Sequence, residues 1–235
     1  MDMPLQLFKC HVENLRSVKR AVASLEHPLK NAVSRQHQNE EDALTKLYAL
    51  LVAAKLECRL QKLLYQPDGF DESLRAQVLA EDTQLDRWLR AIAVAFQFQY
   101  NVRALSEETL KFTAWSQYRE LTKLVQEDLR PIIELRNKLA HGQWEYSLNS
   151  TGTGVAQDQM RDLKTLNFTR IRLQSALADY ICDDIHELVV ARDARARNFD
   201  QHYNRILETR RNLEVQSHER WSEMMRRKYR RVKRG

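Results

Sequence analysis

Apolar residues recur every three or four positions along most of the chain, and this pattern predicts an all-α fold. Ala43, Leu47, Leu50 and Ala54, for example, follow one another at the interval that places side chains on one side of a helix. Alternating runs of β-branched residues, which are typical of strands, are scarce. Helices are predicted over about residues 5–25, 31–65, 82–102, 106–129, 132–140 and 168–191.

Proline and capping residues set the predicted helix ends. A residue that precedes proline disfavours helical backbone, so Pro28 is predicted to end the first helix. Asp71 or Ser73 is predicted to cap a short helix, because either side chain can accept a hydrogen bond from a free backbone N–H. Ser106, which two glutamates follow, is predicted to open a helix that Pro131 kinks or restarts.

One predicted helix is apolar on nearly every side. Its segment 88–100 includes Trp88, Ile92, Phe96 and Tyr100, so it has little polar surface to turn toward water. A helix of this kind is usually central and buried. We therefore expect it in the middle of the helical bundle.

The predicted helices form two parts. Residues 1–192 are predicted to be an antiparallel helical bundle that is long enough to bury a core, with an irregular loop or small hairpin at 145–167. Residues 193–235 are predicted to be a basic C-terminal extension made of one long, highly charged helix. A short apolar seam runs along the first half of this extension, at Phe199, Tyr203, Ile206 and Leu213.

Composition is that of an ordinary globular protein. Charged residues make up 30% of the chain and hydrophobic residues 43%, and the formal net charge is +6. No apolar run reaches the ~18 residues that a membrane span needs, and we expect no signal peptide. Cys10, Cys58 and Cys182 lie far apart and fit neither a zinc site nor a disulfide framework, which favours a reducing cytoplasm and no bound metal.

The clearest chemical pattern is E-L-R-N-K-L-A-H-G-Q-W at 134–144. It lies at the predicted end of a helix, where Gly142 is suited to the left-handed conformation that terminates helices. Asn137 and His141 are one turn apart and share a face, and Arg136 lies roughly 140° from His141 around the axis. Because an arginine side chain is long, the pattern places a cation, an amide and an imidazole over one patch.

These three groups suit RNA cleavage without a metal ion. The 2′-hydroxyl attacks the adjacent phosphorus, the 5′-oxygen leaves, and a 2′,3′-cyclic phosphate remains. Histidine exchanges protons near neutral pH, so His141 is predicted to take or give the proton in this reaction. Arg136 is predicted to stabilise the charge that gathers on the phosphorus, and Asn137 to orient His141 or to bind a phosphate oxygen.

The R-N-x-x-x-H pattern of Arg136, Asn137 and His141 resembles the signature of the HEPN superfamily, small helical proteins of which many are metal-independent ribonucleases. The resemblance implies an HEPN-like antiparallel bundle, endoribonuclease activity without a cofactor, and a homodimer whose two motifs face each other. Related proteins act as toxins or in antiviral, abortive-infection defence, which implies RNA as substrate and an antitoxin or defence protein as partner. In some of these toxins a tyrosine follows two positions after the histidine, where this chain has Gln143.

Other residues are predicted to bind nucleic acid because cations attract phosphates and aromatic rings stack on bases. Trp144 and Tyr146 follow the motif directly, and either stack on a base or pack in the core or an interface. A solvated tail, or a nuclear or membrane-surface patch, is the alternative for the basic C-terminal run. Its predicted nucleic-acid-binding residues are Arg226, Arg227, Lys228, Tyr229, Arg230 and Arg231.

Two other functions stay open from the sequence. In the first alternative, the chain is a non-catalytic HEPN-like module for RNA binding or dimerisation, and the motif supports packing. Alternatively, it is an unrelated helical scaffold that binds a partner through its C-terminal helix. The S-T-G-T-G segment at 150–154 lacks the lysine of a phosphate-binding P-loop, so we do not expect an NTPase.

Overall fold

The computed structural model describes residues 3–149 and 151–232, with the backbone alone described at 158, 159, 161, 162, 192–194, 196 and 230–232. Helices dominate these residues, and the predicted all-α helical bundle is confirmed. None of the helices within these ranges is long and apolar enough to cross a membrane. The helices are α1 (Met3–Arg35), α2 (Gln38–Leu64), α3 (Glu72–Leu79), α4 (Gln84–Tyr100), α5 (Phe112–Leu124), α6 (Arg130–Ala140), α7 (Gln157–Lys164), α8 (Phe168–Val190), α9 (Arg192–Val215) and α10 (His218–Val232).

The core of the bundle lies among α2, α4 and α8. Helix α2 packs against α1, α6 and α8, and α4 packs against α3, α5 and α8. Many of the largest fully buried side chains come from α2, α4 and α8, among them Tyr48, Leu56, Trp88, Phe96 and Phe168. The prediction that α4 is central is confirmed for its first three turns, whereas Phe98 and Tyr100 at its end are exposed.

The first helix does not end at Pro28, and that prediction is wrong. Helix α1 continues to Arg35, although a proline inside a helix removes one backbone hydrogen bond. Leu29, which follows the proline, is fully buried, so packing against α2 compensates for the lost bond. The helix ends at Gln36, which has a left-handed φ of 61° and lets the His37 N–H donate to the Ala32 carbonyl at 3.0 Å.

The segment that was predicted to begin a helix at Ser106 forms a turn instead. The Thr109 hydroxyl donates to the Ala104 carbonyl at 2.8 Å, and the Ser106 N–H donates to the Thr109 hydroxyl at 3.0 Å. Serine and threonine side chains that bond the local backbone in this way compete with helix formation. Helix α5 begins at Phe112, and a π-helical turn at Val125–Leu129 leads into α6, which Pro131 restarts as predicted.

The single long C-terminal helix of the prediction is in fact two helices, which separate after Gln216. Helix α9 packs along α8, while α10 returns to α1 and α8. In α10, His218 Nε2 lies 2.8 Å from Glu41 Oε1, and the Trp221 ring packs 5.2 Å from the Phe168 ring. The chain after 192 therefore contacts the bundle instead of extending away from it.

A buried ion pair anchors α9 to α8. Arg195 Nε donates to Asp184 Oδ1 at 3.0 Å, and both side chains are 3% exposed. A second guanidinium nitrogen donates to Gln117 Oε1 at 3.1 Å. The Phe96 and Phe199 rings cover the guanidinium at 5.5 and 5.1 Å. Burial raises the pKa of Asp184, an effect that the Arg195 charge opposes, so each member of the pair depends on the other.

Candidate active site at the end of helix α6

Helix α6 carries the R-N-x-x-x-H motif and runs antiparallel to α2. Arg136 contacts Glu57 of α2, and Glu145, just beyond α6, contacts Lys46 of the same helix. Residue numbers thus rise along α6 while they fall along α2. The apolar side of α6 packs into the bundle through its buried residues Ile132, Ile133 and Leu139. Packing of that side leaves the opposite side, with the motif, near solvent.

A glycine turn closes α6 at the motif. Gly142 has a φ of +77°, its N–H donates to the Leu139 carbonyl at 3.2 Å, and the Gln143 N–H donates to the Lys138 carbonyl at 3.0 Å. These two bonds form the Schellman arrangement, and they confirm the predicted role of Gly142. The turn leaves His141 as the C-cap residue directly after the helix, and the His141 N–H donates to the Asn137 carbonyl at 3.1 Å.

Replacing Gly142 with alanine is expected to lower the free energy of unfolding by about 1–2 kcal/mol. A Cβ atom at this position would meet no other atom within 4 Å, so the loss comes from the left-handed backbone alone. Urea unfolding measures it. Gly142→Asn is the matched control, because asparagine tolerates this conformation better than alanine and so should lose less stability. Equal stability of the alanine variant and the natural protein would contradict the prediction.

Arg136 is oriented by two neighbours. One guanidinium nitrogen donates to Glu57 Oε2 at 3.0 Å, and the other terminal nitrogen donates to Asn137 Oδ1 at 3.2 Å. The Arg136 and Glu57 side chains are 37% and 45% exposed, so the pair adds little stability but does set the direction of the guanidinium. Arginine has five N–H donors, and some remain for a phosphate.

Asn137 and His141 are both exposed. The structure joins Asn137 to Arg136 and places His141 one helical turn beyond Asn137. In the part of the chain that is described, the His141 imidazole has no hydrogen-bond or ion-pair partner. Its ring is therefore accessible to a molecule that approaches from solvent. Within a single chain, the motif contributes one imidazole, that of His141, to the surface at the end of α6.

Trp144 and Tyr146 have different surroundings. The Trp144 indole N–H donates to the Leu139 carbonyl at 2.9 Å, and its ring packs partly against the core, so it supports the end of α6. Tyr146 is 64% exposed. An exposed ring beside the motif has the accessibility that stacking on a base requires, and base stacking by either residue stays a prediction.

The predicted nucleic-acid-binding residues of the C-terminal run lie on α10. Arg227 and Lys228 are exposed, whereas Arg226 and Tyr229 are half-buried. Arg227 lies 3.9 Å from Glu223, a long contact that leaves its charge largely free for a polyanion. The side chains of Arg230 and Arg231 lie outside the described part of the structure.

Comparison of the chain with protein-family models, with curated proteins and with solved structures finds no match. The resemblance to the HEPN superfamily therefore rests on the R-N-x-x-x-H motif and on the helix that carries it.

Sequence reasoning missed Glu57 as part of this patch. Its contact with Arg136 joins residues 79 positions apart in the chain, and local sequence patterns do not predict contacts over such a separation. One signal was present: Glu57 is an acidic residue on the side of α2 that otherwise carries Leu50 and Ala54. A charge on an apolar stripe indicates that a charged partner lies opposite.

Proposed function

We propose that this protein is an endoribonuclease of the HEPN type, which cleaves RNA without a metal ion through Arg136, Asn137 and His141. The observation that carries the proposal is the arrangement at the end of α6. An exposed imidazole without a partner among the described residues follows one turn after an arginine and amide that bond each other. A free imidazole can exchange protons, and a guanidinium held by Glu57 keeps further donors for phosphate oxygens.

The reaction follows from these groups. The 2′-oxygen forms a bond to the adjacent phosphorus while the bond from phosphorus to the 5′-oxygen breaks. The 2′-hydroxyl proton passes to an imidazole, and the leaving 5′-oxygen receives a proton, so no water is consumed. Arg136 stabilises the additional negative charge on the phosphorus oxygens in the transition state. The products are a 2′,3′-cyclic phosphate and a 5′-hydroxyl.

A homodimer supplies the second imidazole that concerted proton transfer needs, since one ring cannot accept and donate at the same moment. An apolar stripe on α2 supports this part of the proposal. Ala43 and Leu47 are exposed, Leu50 and Ala54 are half-buried, and all four lie on the side of α2 that bears Glu57. We expect that pairing two copies through this stripe and α6, about a two-fold axis, places the two His141 side chains at one groove.

The substrate class and biological role extend the same proposal. RNA is expected to contact the exposed cations Arg227 and Lys228 of α10, and an aromatic ring such as Tyr146. A role as a toxin or in antiviral defence, with an antitoxin or defence protein as partner, is supported by the resemblance of the motif alone.

The experiment that tests the proposal measures cleavage of single-stranded RNA by the purified chain, once with magnesium and once with EDTA. We expect fragments that end in a 2′,3′-cyclic phosphate and begin with a 5′-hydroxyl, at a rate that added EDTA does not change. RNA that stays intact with and without magnesium, or fragments with 5′-phosphates, would contradict the proposed mechanism. The end groups are read by mass spectrometry.

One observation favours a second candidate, the non-catalytic RNA-binding or dimerisation module. Arg136 links α6 to α2 through Glu57, which is a structural use of a motif residue. The same experiment separates the two functions, because a binding module retains RNA on a gel without cutting it. A scaffold that uses α10 to bind a protein does neither.

A further inference from the structure

A polar cavity of about 220 Å³ lies where α1, α2, α4 and α8 meet, away from the motif helix α6. Its volume equals that of roughly seven water molecules. Pockets for drug-sized ligands are larger, at about 300–1,000 Å³. The cavity is therefore suited to a small ligand. The polar side chains that line it are Lys19, Arg59, Lys62, Trp88, Asp183 and His186.

Positive charge exceeds negative charge on the cavity wall. Arg59 is paired with Asp183 and donates to Asp179 at 3.1 Å, so its charge is compensated. Lys62, in contrast, donates at 3.0 Å to the neutral amide oxygen of Gln66. Lys19 is exposed at the mouth and has no ion-pair partner among the described residues. Two lysines thus face the cavity without a carboxylate of their own.

The titration of neighbouring groups reflects this excess. Burial lowers the pKa of Lys62, and the charges of Arg59 and Lys19 lower it further. Burial likewise lowers the pKa of His186, and the charges of Lys62 and Arg59 add to the effect. Asp183 opposes both shifts without cancelling them. An anion in the cavity would relieve this repulsion.

A tryptophan and a cysteine also line the cavity. Trp88 lines the cavity, and its indole N–H is buried without an acceptor among the described residues. Buried donors are nearly always hydrogen-bonded, so an unsatisfied one needs an explanation. The Cys182 thiol also lines the cavity, but burial raises its pKa to about 12, so it stays protonated and does not act as a nucleophile. The chemistry of the cavity is binding.

We propose that this cavity binds a tetrahedral oxyanion, either inorganic phosphate or the phosphoryl group of a small phosphomonoester. Lys19 and Lys62 supply the uncompensated charge, and Arg59 supplies planar donors that its carboxylate partners hold in place. The ligand class follows from the charge, because the cavity wall is cationic, and from the volume of about 220 Å³, which suits a group of the size of phosphate. The site does not depend on the ribonuclease proposal.

Titration calorimetry with inorganic phosphate, and separately with glycerol phosphate, tests the proposal on the full chain. Each is expected to bind with saturation, and the tighter of the two identifies the source of the phosphoryl group. Lys19→Gln and Lys62→Gln should each weaken binding roughly tenfold or more, because each removes a charge-assisted contact. Lys9→Gln is the matched control, since Lys9 is exposed on the same helix as Lys19 and about 15 Å from it.

Nuclear magnetic resonance of the His186 ring gives a second readout. Phosphate at saturation should raise the pKa of His186 above its value in chloride of equal ionic strength, because an anion stabilises the protonated ring. Circular dichroism confirms that both glutamine variants are folded. Three results would overturn the proposal: no binding of either phosphate, equal weakening by Lys9→Gln, or a His186 pKa that phosphate leaves unmoved.

Discussion

Replacing His141 with alanine is expected to slow RNA cleavage by roughly 100-fold or more, because a positioned acid–base group contributes about 10²–10⁴-fold to such a reaction. The fold should be unaffected. The His141 side chain is exposed and has no partner among the described residues, so its removal breaks no contact within them. RNA affinity should also change little, since phosphate contacts to arginine and lysine supply most of the binding energy. Single-turnover cleavage rates, with affinity measured in parallel, separate these effects.

The matched control for this variant is His27→Ala. His27 is also exposed, and its ring is hydrogen-bonded to Asn31 of its own helix, so its loss removes an exposed histidine from another surface. The control should cleave RNA at the full rate. If His141→Ala cleaves as fast as the control, the imidazole has no catalytic role, and the motif is structural.

Replacing Asp184 with alanine is expected to lower the free energy of unfolding by about 3–5 kcal/mol, the usual loss when one member of a buried ion pair is removed. The substitution leaves the Arg195 guanidinium buried between the Phe96 and Phe199 rings without its carboxylate, and with only the neutral Gln117 amide oxygen among its present hydrogen-bond acceptors. Urea unfolding measures the loss. Asp200→Ala on α9 is the control, because Asp200 is exposed and surface substitutions usually change stability by less than about 0.5 kcal/mol.

A double variant tests the physical reason for this loss. If the damage comes from a stranded charge, Asp184→Leu combined with Arg195→Met should be more stable than Asp184→Ala alone, because both charges are then gone and the volume is filled. A double variant that is less stable than Asp184→Ala would contradict the stranded charge as the cause of the loss.

The sequence predicted the elements whose signals are local. The apolar character of α4, the turn at Gly142 and the restart at Pro131 each depend on a few neighbouring residues, and all three are found in the structure. The wrong helix start at Ser106 has a local cause, the hydrogen bonds of Ser106 and Thr109, whereas the wrong end at Pro28 has a non-local one. At Pro28 the local preference for an ending is overruled by burial of the following turn against α2, and burial is a property of the whole fold.

The candidate site was predictable in its residues and not in its surroundings. The order of Arg136, Asn137 and His141 on one helix follows from helical geometry, and so does the glycine that ends the helix. Glu57 and the exposure of His141 depend on which helix packs beside α6, which the sequence does not state. The same holds for Arg195, which lies in a highly charged stretch of sequence, because its partners Gln117 and Asp184 come from other helices.

The position of α10 has a consequence for how the protein is made. Trp221 covers the Phe168 ring, and Phe168 is otherwise part of the central core. During synthesis on the ribosome, α8 therefore emerges with one aromatic side chain still uncovered, and it stays so until residues 218–232 have left the exit tunnel. A chain interrupted before that point would leave the Phe168 ring packed against Tyr48 but without the Trp221 ring beside it.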